Sequence, residues 1–333
     1  MPLNLLFVVH RYPPFRGGSE YYVQAMAEEA LSRGHKVTVF SGEHGGNLNG
    51  VRLESNPNVL LEKFDLIIVH GGNVGNQDCV HMNAHVIPSP VLYMLILPST
   101  SYACMKGLRD AKYIGCSTQA DWDHVEQNNV ESKAVRVRHG IITPRIENQI
   151  ELETQFRNKF NITTKYIFLT CGGFWHHKGM IELADVFTRA ITATNRTDIT
   201  LVCTGYNDNA EHKPKDTQYI KSLYLADRDD VTAAMASADL YIMNSYEEGY
   251  GLVLLEAMNQ KVPWIARAIA GALQLKEFGI TYTGPSELET LLKNPEDTIK
   301  SIDVNKAYYH VVTQHSIVQT VDDIEACLSD LKP

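Results

Sequence analysis

Residues 3–41, LNLLFVVHRYPPFRGGSEYYVQAMAEEALSRGHKVTVFS, decide the fold class. The run at 3–9 is almost continuously apolar, as in a strand buried on both faces, and a second such run follows at 36–40. Between them Val23, Met26, Ala27, Ala30 and Leu31 recur at helical spacing and form one apolar face. Ser19 is placed to cap the start of that helix and Gly34 its end. Strand, helix and strand in so short a span make a βαβ unit, which requires a parallel sheet.

The same alternation continues outward from this unit. Short apolar runs stand at 66–69, 91–96, 113–116 and 134–138. Residues 142–165 are polar and contain Pro144, which marks a connection between domains. The pattern then restarts with strands at 166–171, 199–204, 240–243 and 262–266, and with helices opening at Lys178 and Gly251. This predicts an α/β protein of two doubly wound, Rossmann-like domains, residues 1–145 and 146–310. A last helix at 316–331 is expected to pack back on the first domain. Ligands of such sheets bind outside the carboxyl ends of the strands, so the expected site is an interdomain cleft.

The chain has 333 residues, which suits two domains at about 150 residues each. Hydrophobic residues make up 44% and charged residues 21%, which excludes disorder as the main state. The net charge of −9 argues against nucleic acid as a partner. None of the six cysteines forms a CxxC pair, so neither a zinc ribbon nor a thioredoxin motif is present. That usage fits a reduced, cytoplasmic protein. The N-terminal run lacks a basic start and a cleavage site, so it reads as a strand and not as a signal peptide. No stretch reaches the roughly 18 apolar residues of a membrane span. Peripheral membrane contact stays compatible with the sequence.

Three segments are candidates for chemistry. Gly17 and Gly18 precede a helix start, where backbone amides and the helix dipole favour a phosphate. The plain alternative is a tight strand-to-helix turn. No third glycine completes GxGxxG, which weakens a nicotinamide dehydrogenase. The segment CGGFWHHKG at 171–179 also joins a strand to a helix, and Lys178 offers a point charge to a diphosphate. The plain alternative there is a polar turn with an exposed lysine. Adjacent His176 and His177 would point different ways, which is poor metal geometry.

The third segment, YEEGYGLVLLEAMNQ at 246–260, is the most specific. Glu248 and Glu256 stand eight positions apart around a Gly-Tyr-Gly turn. Glu248 would lie on the loop and Glu256 inside the following helix, too far apart for a shared-proton dyad. An ionised carboxylate accepts hydrogen bonds from a vicinal diol, so Glu256 suits a ribose and Glu248 a sugar. The amides of Tyr250, Gly251 and Leu252 would stand where a diphosphate belongs.

These residues resemble the E-x7-E signature of the retaining GT-B glycosyltransferases of glycosyltransferase family 4. There EGFG…LEAM is followed by a G-x-P-V-I-A strand, and here VPWIA follows. The glycine loop with its helix and the segment GGFWHHKG also resemble the family's, in the right order, over most of residues 1–275. The resemblance implies a nucleoside-diphosphate sugar as donor, a glycan or other hydroxyl acceptor, retention of the anomeric configuration and no metal cofactor. It implies that Gly17, Gly18 and Gly249–Leu252 approach the diphosphate, that Lys178 neutralises it, and that Glu248 and Glu256 hold sugar and ribose. His70 matches a common histidine position of the family, and a solvated strand-end histidine is its plain alternative.

Several positions depart from the family pattern. Gly173 stands where a phosphate-binding arginine is usual, five positions before Lys178. Arg267, Lys213 and Arg16 are candidate substitutes. The run 95–102, LILPSTSY, lacks the usual acceptor-side histidine. His139–Ile142 replaces N-G-V-D, and Ala270–Gly271 replaces a glycine pair. Two other readings therefore stay open: a degenerate relative that binds nucleotide sugar or glycan without turnover, and a sugar-nucleotide epimerase.

Overall fold

The computed structural model describes residues 2–15, 17–70, 80, 86–96, 102–143, 148–205, 211–225 and 228–329, of which 102–104 and 329 by backbone alone. Arg16, Pro144 and most of LILPSTSY lie outside the described residues. The chain forms two compact units. One comprises Met1–Ile142 with Gln314–Pro333, and the other Thr143–Thr313.

The first unit holds an eight-stranded sheet. Its strands are β1 (Asn4–Val8), β2 (Lys36–Phe40), β3 (Gly46–Leu48), β4 (Val51–Glu54), β5 (Leu66–His70), β6 (Val91–Met94), β7 (Tyr113–Cys116) and β8 (Ala134–Arg136). Their order is β3-β4-β2-β1-β5-β6-β7-β8, and every neighbouring pair is parallel except β3 with β4. That antiparallel hairpin was not expected. Its turn is Asn49-Gly50 with φ of 51° and 89°, the pair of positive values that a two-residue turn between twisted strands demands.

The second unit holds a fully parallel six-stranded sheet. Its strands are β9 (Tyr166–Cys171), β10 (Ile199–Gly205), β11 (Ile220–Tyr224), β12 (Leu240–Met243), β13 (Trp264–Arg267) and β14 (Ile280–Tyr282), in the order β11-β10-β9-β12-β13-β14. The expected doubly wound α/β fold is thus observed. The strand order reverses between β1 and β5 in one sheet and between β9 and β12 in the other. Loops diverge at such switch points and leave a crevice above the strand ends.

The apolar runs explain the cores. Leu5–Val8 of β1 and Ile167–Leu169 of β9 are almost fully buried. Helix Met180–Ala193 lays Leu183, Val186, Phe187 and Ala190 against the second sheet. Each fully buried side chain of leucine size stabilises by about 1.5–3 kcal/mol, so the sheets are firm platforms for their loops.

Two local expectations need correction. The first helix spans Gly18–Ser32 with Gly17 at its N-cap, so Ser19 lies inside the helix and does not cap it. The helix after β9 does not open at Lys178. His176–Lys178 forms a 3-10 turn, Gly179 turns left-handed, and the α-helix begins at Met180.

Helix Ile317–Ser329 belongs to the first unit. The backbone N–H of Ile141 donates to His315 O at 2.8 Å, and that of Ile317 to Ile141 O at 2.9 Å. Arg138 grips Asp323 with Nε at 2.9 Å and Nη2 at 2.7 Å, a bidentate pairing.

Candidate functional site

The β9 and β12 strand ends of the second unit carry the main group of candidate residues. Lys178 leaves the loop after β9, and Glu248 leaves the loop after β12. Across the switch point the Lys178 ammonium donates to Glu248 Oε1, and Ser245 Oγ donates to the same oxygen at 3.0 Å. Both charged side chains are largely shielded, at 20% and 17% exposure. The result is a cation and an acceptor-rich carboxylate side by side at the carboxyl edge of a parallel sheet.

Close approach of the two loops explains this contact. Gly179 has φ of 61°, and a Cβ there would lie 2.4 Å from Asn244 O. Only glycine fits that left-handed position so close to the β12 backbone. Asn244 Nδ2 donates to Gly179 O at 2.8 Å, and the Tyr246 N–H donates to His177 O at 2.7 Å. These bonds tie the lysine loop to the glutamate loop. Asn244 is buried, and its Oδ1 also accepts from Tyr282 Oη at 2.7 Å and Arg267 Nη2 at 3.0 Å.

The rest of the signature segment follows the same edge. Gly249 and buried Tyr250 complete the loop, and Gly251, at φ of 78°, caps helix Leu252–Asn259. The first amides of that helix, from Leu252 onward, have no side-chain cap. Glu256 sits half-buried inside the helix. Burial raises its pKa, and Arg228 opposes the shift. Gly271 lets the Tyr250 carbonyl pack against it, since a Cβ there would lie 2.2 Å from Tyr250 O.

The position of the usual arginine is filled in another way. A Cβ on Gly173 would lie 2.1 Å from Trp175 Nε1, so the indole occupies that space. Of the candidate substitutes, Arg267 is engaged by Glu182 and Asn244 and stacks on Tyr246 at 4.8 Å. Lys213 lies over the Phe174 ring at 5.8 Å, against the lysine loop.

The first unit gathers the other candidates around its own switch point. His10 Nε2 and Arg11 Nε each stand 3.3 Å from Glu20 Oε1. A Cβ on Gly17 would lie 2.3 Å from Glu20 Oε2, whereas Gly18 meets nothing. Gly17 therefore makes room for a buried carboxylate at the helix start. Burial works to raise the Glu20 pKa, but His10, the helix amide and Arg11 outweigh it and hold it low. His70, at the end of β5, is buried, and its ring meets Tyr22 edge-on at 5.6 Å. Burial, aided by His10, pulls its pKa down to about 4. It is a neutral imidazole at pH 7, not a solvated one.

The structure thus brings Lys178 together with Glu248, and Gly17 together with Glu20. Glu20, Asn244 and Ser245 escaped the sequence reading. Glu20 follows Gly-Gly-Ser at a helix start, and Asn-Ser ends an apolar strand abruptly; both are visible signals. Among the described residues no group of three or more His, Cys, Asp or Glu side chains is arranged to hold a metal ion.

Two doubly wound parallel sheets with these strand-end loops define the GT-B class. The UDP-glucose complex of Anabaena Alr3699/HepE matches over 98% of this chain and 100% of its own, with a TM-score of 0.74 at 17% identity. WaaG, a glycosyltransferase involved in lipopolysaccharide biosynthesis, matches over 98% and 99% with a TM-score of 0.73 at 16% identity. The fold is GT-B. Residues 165–301 match the family model described as Glycosyl transferases group 1, and that segment is a domain of this family. N-acetyl-alpha-D-glucosaminyl L-malate synthase of Bacillus anthracis is 27% identical over 158 residues, 45% of this chain and 40% of that protein. The match spans less than half of that relative's length. No helix among the described residues is long and apolar enough to cross a membrane.

Proposed function

We propose that the protein is a retaining glycosyltransferase that moves a sugar from a nucleoside-diphosphate sugar to a hydroxyl acceptor, a glycan first among them. The observation that carries this reading is the Lys178–Glu248 contact at the switch point, inside the matched domain. Lys178 neutralises the leaving diphosphate, with the open helix start at Leu252 as a second source of positive potential. Glu248 accepts hydrogen bonds from the transferred sugar, and Glu256 from the ribose. Gly17 and Gly18 approach the diphosphate from the first domain, and neutral His70 offers a hydrogen bond to a sugar hydroxyl. The leaving diphosphate takes the acceptor's proton on the face it departs from, which retains configuration. Lysine and helix amides supply the charge compensation, so the reaction proceeds without a metal cofactor.

Alr3699/HepE, which shares the fold, is solved with UDP and with UDP-glucose, so UDP-sugars lead the donor panel. Thermal stability is measured against UDP-, GDP-, TDP- and ADP-sugars with a chelator present. A donor at 100 times its Kd stabilises by about 2.7 kcal/mol. A selective shift by one donor, followed by transfer to an acceptor pool with α-to-α or β-to-β stereochemistry by NMR, supports the reading. No shift with any donor defeats it. One observation favours a second reading, donor binding without turnover: the Trp175 indole fills the space of the usual arginine. A donor shift with no transfer to any acceptor would select that reading.

A further inference from the structure

A groove of about 450 Å³ lies on the second unit beside the lysine loop, and neither Lys178 nor Glu248 lines it. Its walls are unusually aromatic for an exposed surface. Trp175 and Tyr246 line it, each 40% exposed. The His176 ring neighbours two of the lining rings, with centres 5.6 Å from Tyr246 and 5.7 Å from His212. Glu182, Asp185 and Glu211 add three carboxylates to the lining, of which Glu182 already pairs with Arg267. Arg189 adds one guanidinium, which already pairs with Glu289 at 3.0 Å.

This combination selects among ligands. A purely apolar ligand would strip water from the carboxylates without replacing their hydrogen bonds. A diphosphate or other anion would meet like charge. A pyranose satisfies both features: its C–H faces stack on flat rings, and its hydroxyls donate to carboxylates. The volume lies within the range of small-molecule sites, roughly 300–1,000 Å³.

We propose that this groove is a carbohydrate-binding subsite, separate from the Lys178–Glu248 centre, that holds a neutral oligosaccharide. The inference goes beyond the donor reading and is tested with no nucleotide present, so its failure and the failure of that reading are separable.

The full chain is titrated with maltotriose, cellotriose and chitotriose by calorimetry and saturation-transfer NMR. At least one is expected to bind. Trp175→Ala and Asp185→Ala are each expected to weaken it about tenfold, a shift of about 1.4 kcal/mol. Asp185 is exposed on its helix, so the second variant keeps the core intact and is expected to keep any donor-induced thermal shift. Binding of none of the three sugars overturns the proposal, as does equal affinity in both variants. Binding of oligolysine in place of sugars, lost in Asp185→Ala, also overturns it and marks an acidic docking surface.

Discussion

Lys178 and Glu248 stand 70 positions apart in the chain, yet the ammonium of one rests directly on the carboxylate of the other. Each compensates the burial of its partner when no other charge is near, and removing one leaves the other uncompensated. A diphosphate and a sugar would draw the two apart, one toward the phosphate oxygens and one toward hydroxyls. Under the proposed function, breaking this contact would accompany donor binding.

Glu248→Gln is expected to lower glycosyl transfer by a factor of about 100 or more, because a charge-assisted bond used in the transition state is lost. Turnover with the selected donor checks this. Near-normal rates would remove Glu248 from the reaction.

Lys178→Ala is expected to act on binding first. The donor-induced stabilisation should shrink or vanish at a donor concentration that saturates the parent protein. An unchanged melting shift would make Lys178 a bystander to the diphosphate.

Gly179→Ala should destabilise the second unit by about 1–3 kcal/mol, since the new Cβ meets the Asn244 backbone in a left-handed conformation. Urea unfolding provides the measurement. A stability loss below a few tenths of a kcal/mol would show that the two loops do not depend on this close approach.

Gly173→Arg alone is expected to cost stability, because its Cβ collides with the Trp175 indole. Combined with Trp175→Gly the arginine has space, and donor affinity should rise above that of the Trp175→Gly variant, as a further cation reaches the diphosphate. Equal affinity in the two variants would show that position 173 does not face the phosphates.

Acid should weaken the first unit before it weakens the carboxylates. Burial holds His70 near 4 and His139 near 3, both below the ordinary value of 6.5. The unfolded chain then binds more protons below about pH 6.5, so stability is full above that value and falls as pH drops toward 4. Each histidine contributes up to about 1.4 kcal/mol per pH unit in that window. Urea unfolding at pH 7.5, 6 and 5 follows the loss, and His70→Phe should reduce the slope. A flat profile would mean that these rings protonate freely in the folded state.

Much of this molecule was legible in its sequence because parallel strands buried on both faces announce themselves as unbroken apolar runs. β7, β9 and β12 begin and end where the runs at 113–116, 166–171 and 240–243 do. Edge strands were harder to read. β4 alternates burial along Val51–Glu54, and β14 is three residues long, so neither forms a run. Asn49-Gly50 was nonetheless a readable hairpin signal. In the site, spacing alone placed Glu248 on a loop and Glu256 in a helix. It did not reveal that Glu248 meets Lys178, because that contact depends on Gly179 and Asn244 packing across two strand ends. Nor did it show that Trp175 folds back over Gly173.

The first unit is written in two pieces, with Thr143–Thr313 lying between them. On the ribosome, the eight strands of its sheet emerge long before helix Ile317–Ser329, which supplies Asp323 to Arg138. The first unit must therefore wait, with Arg138 lacking its carboxylate, while the whole intervening unit is translated. The backbone bonds joining Ile141 to His315 and Ile317 bring the two ends of the insertion together. Excising the insert and rejoining its neighbours with a few residues would bring that helix to the sheet almost at once.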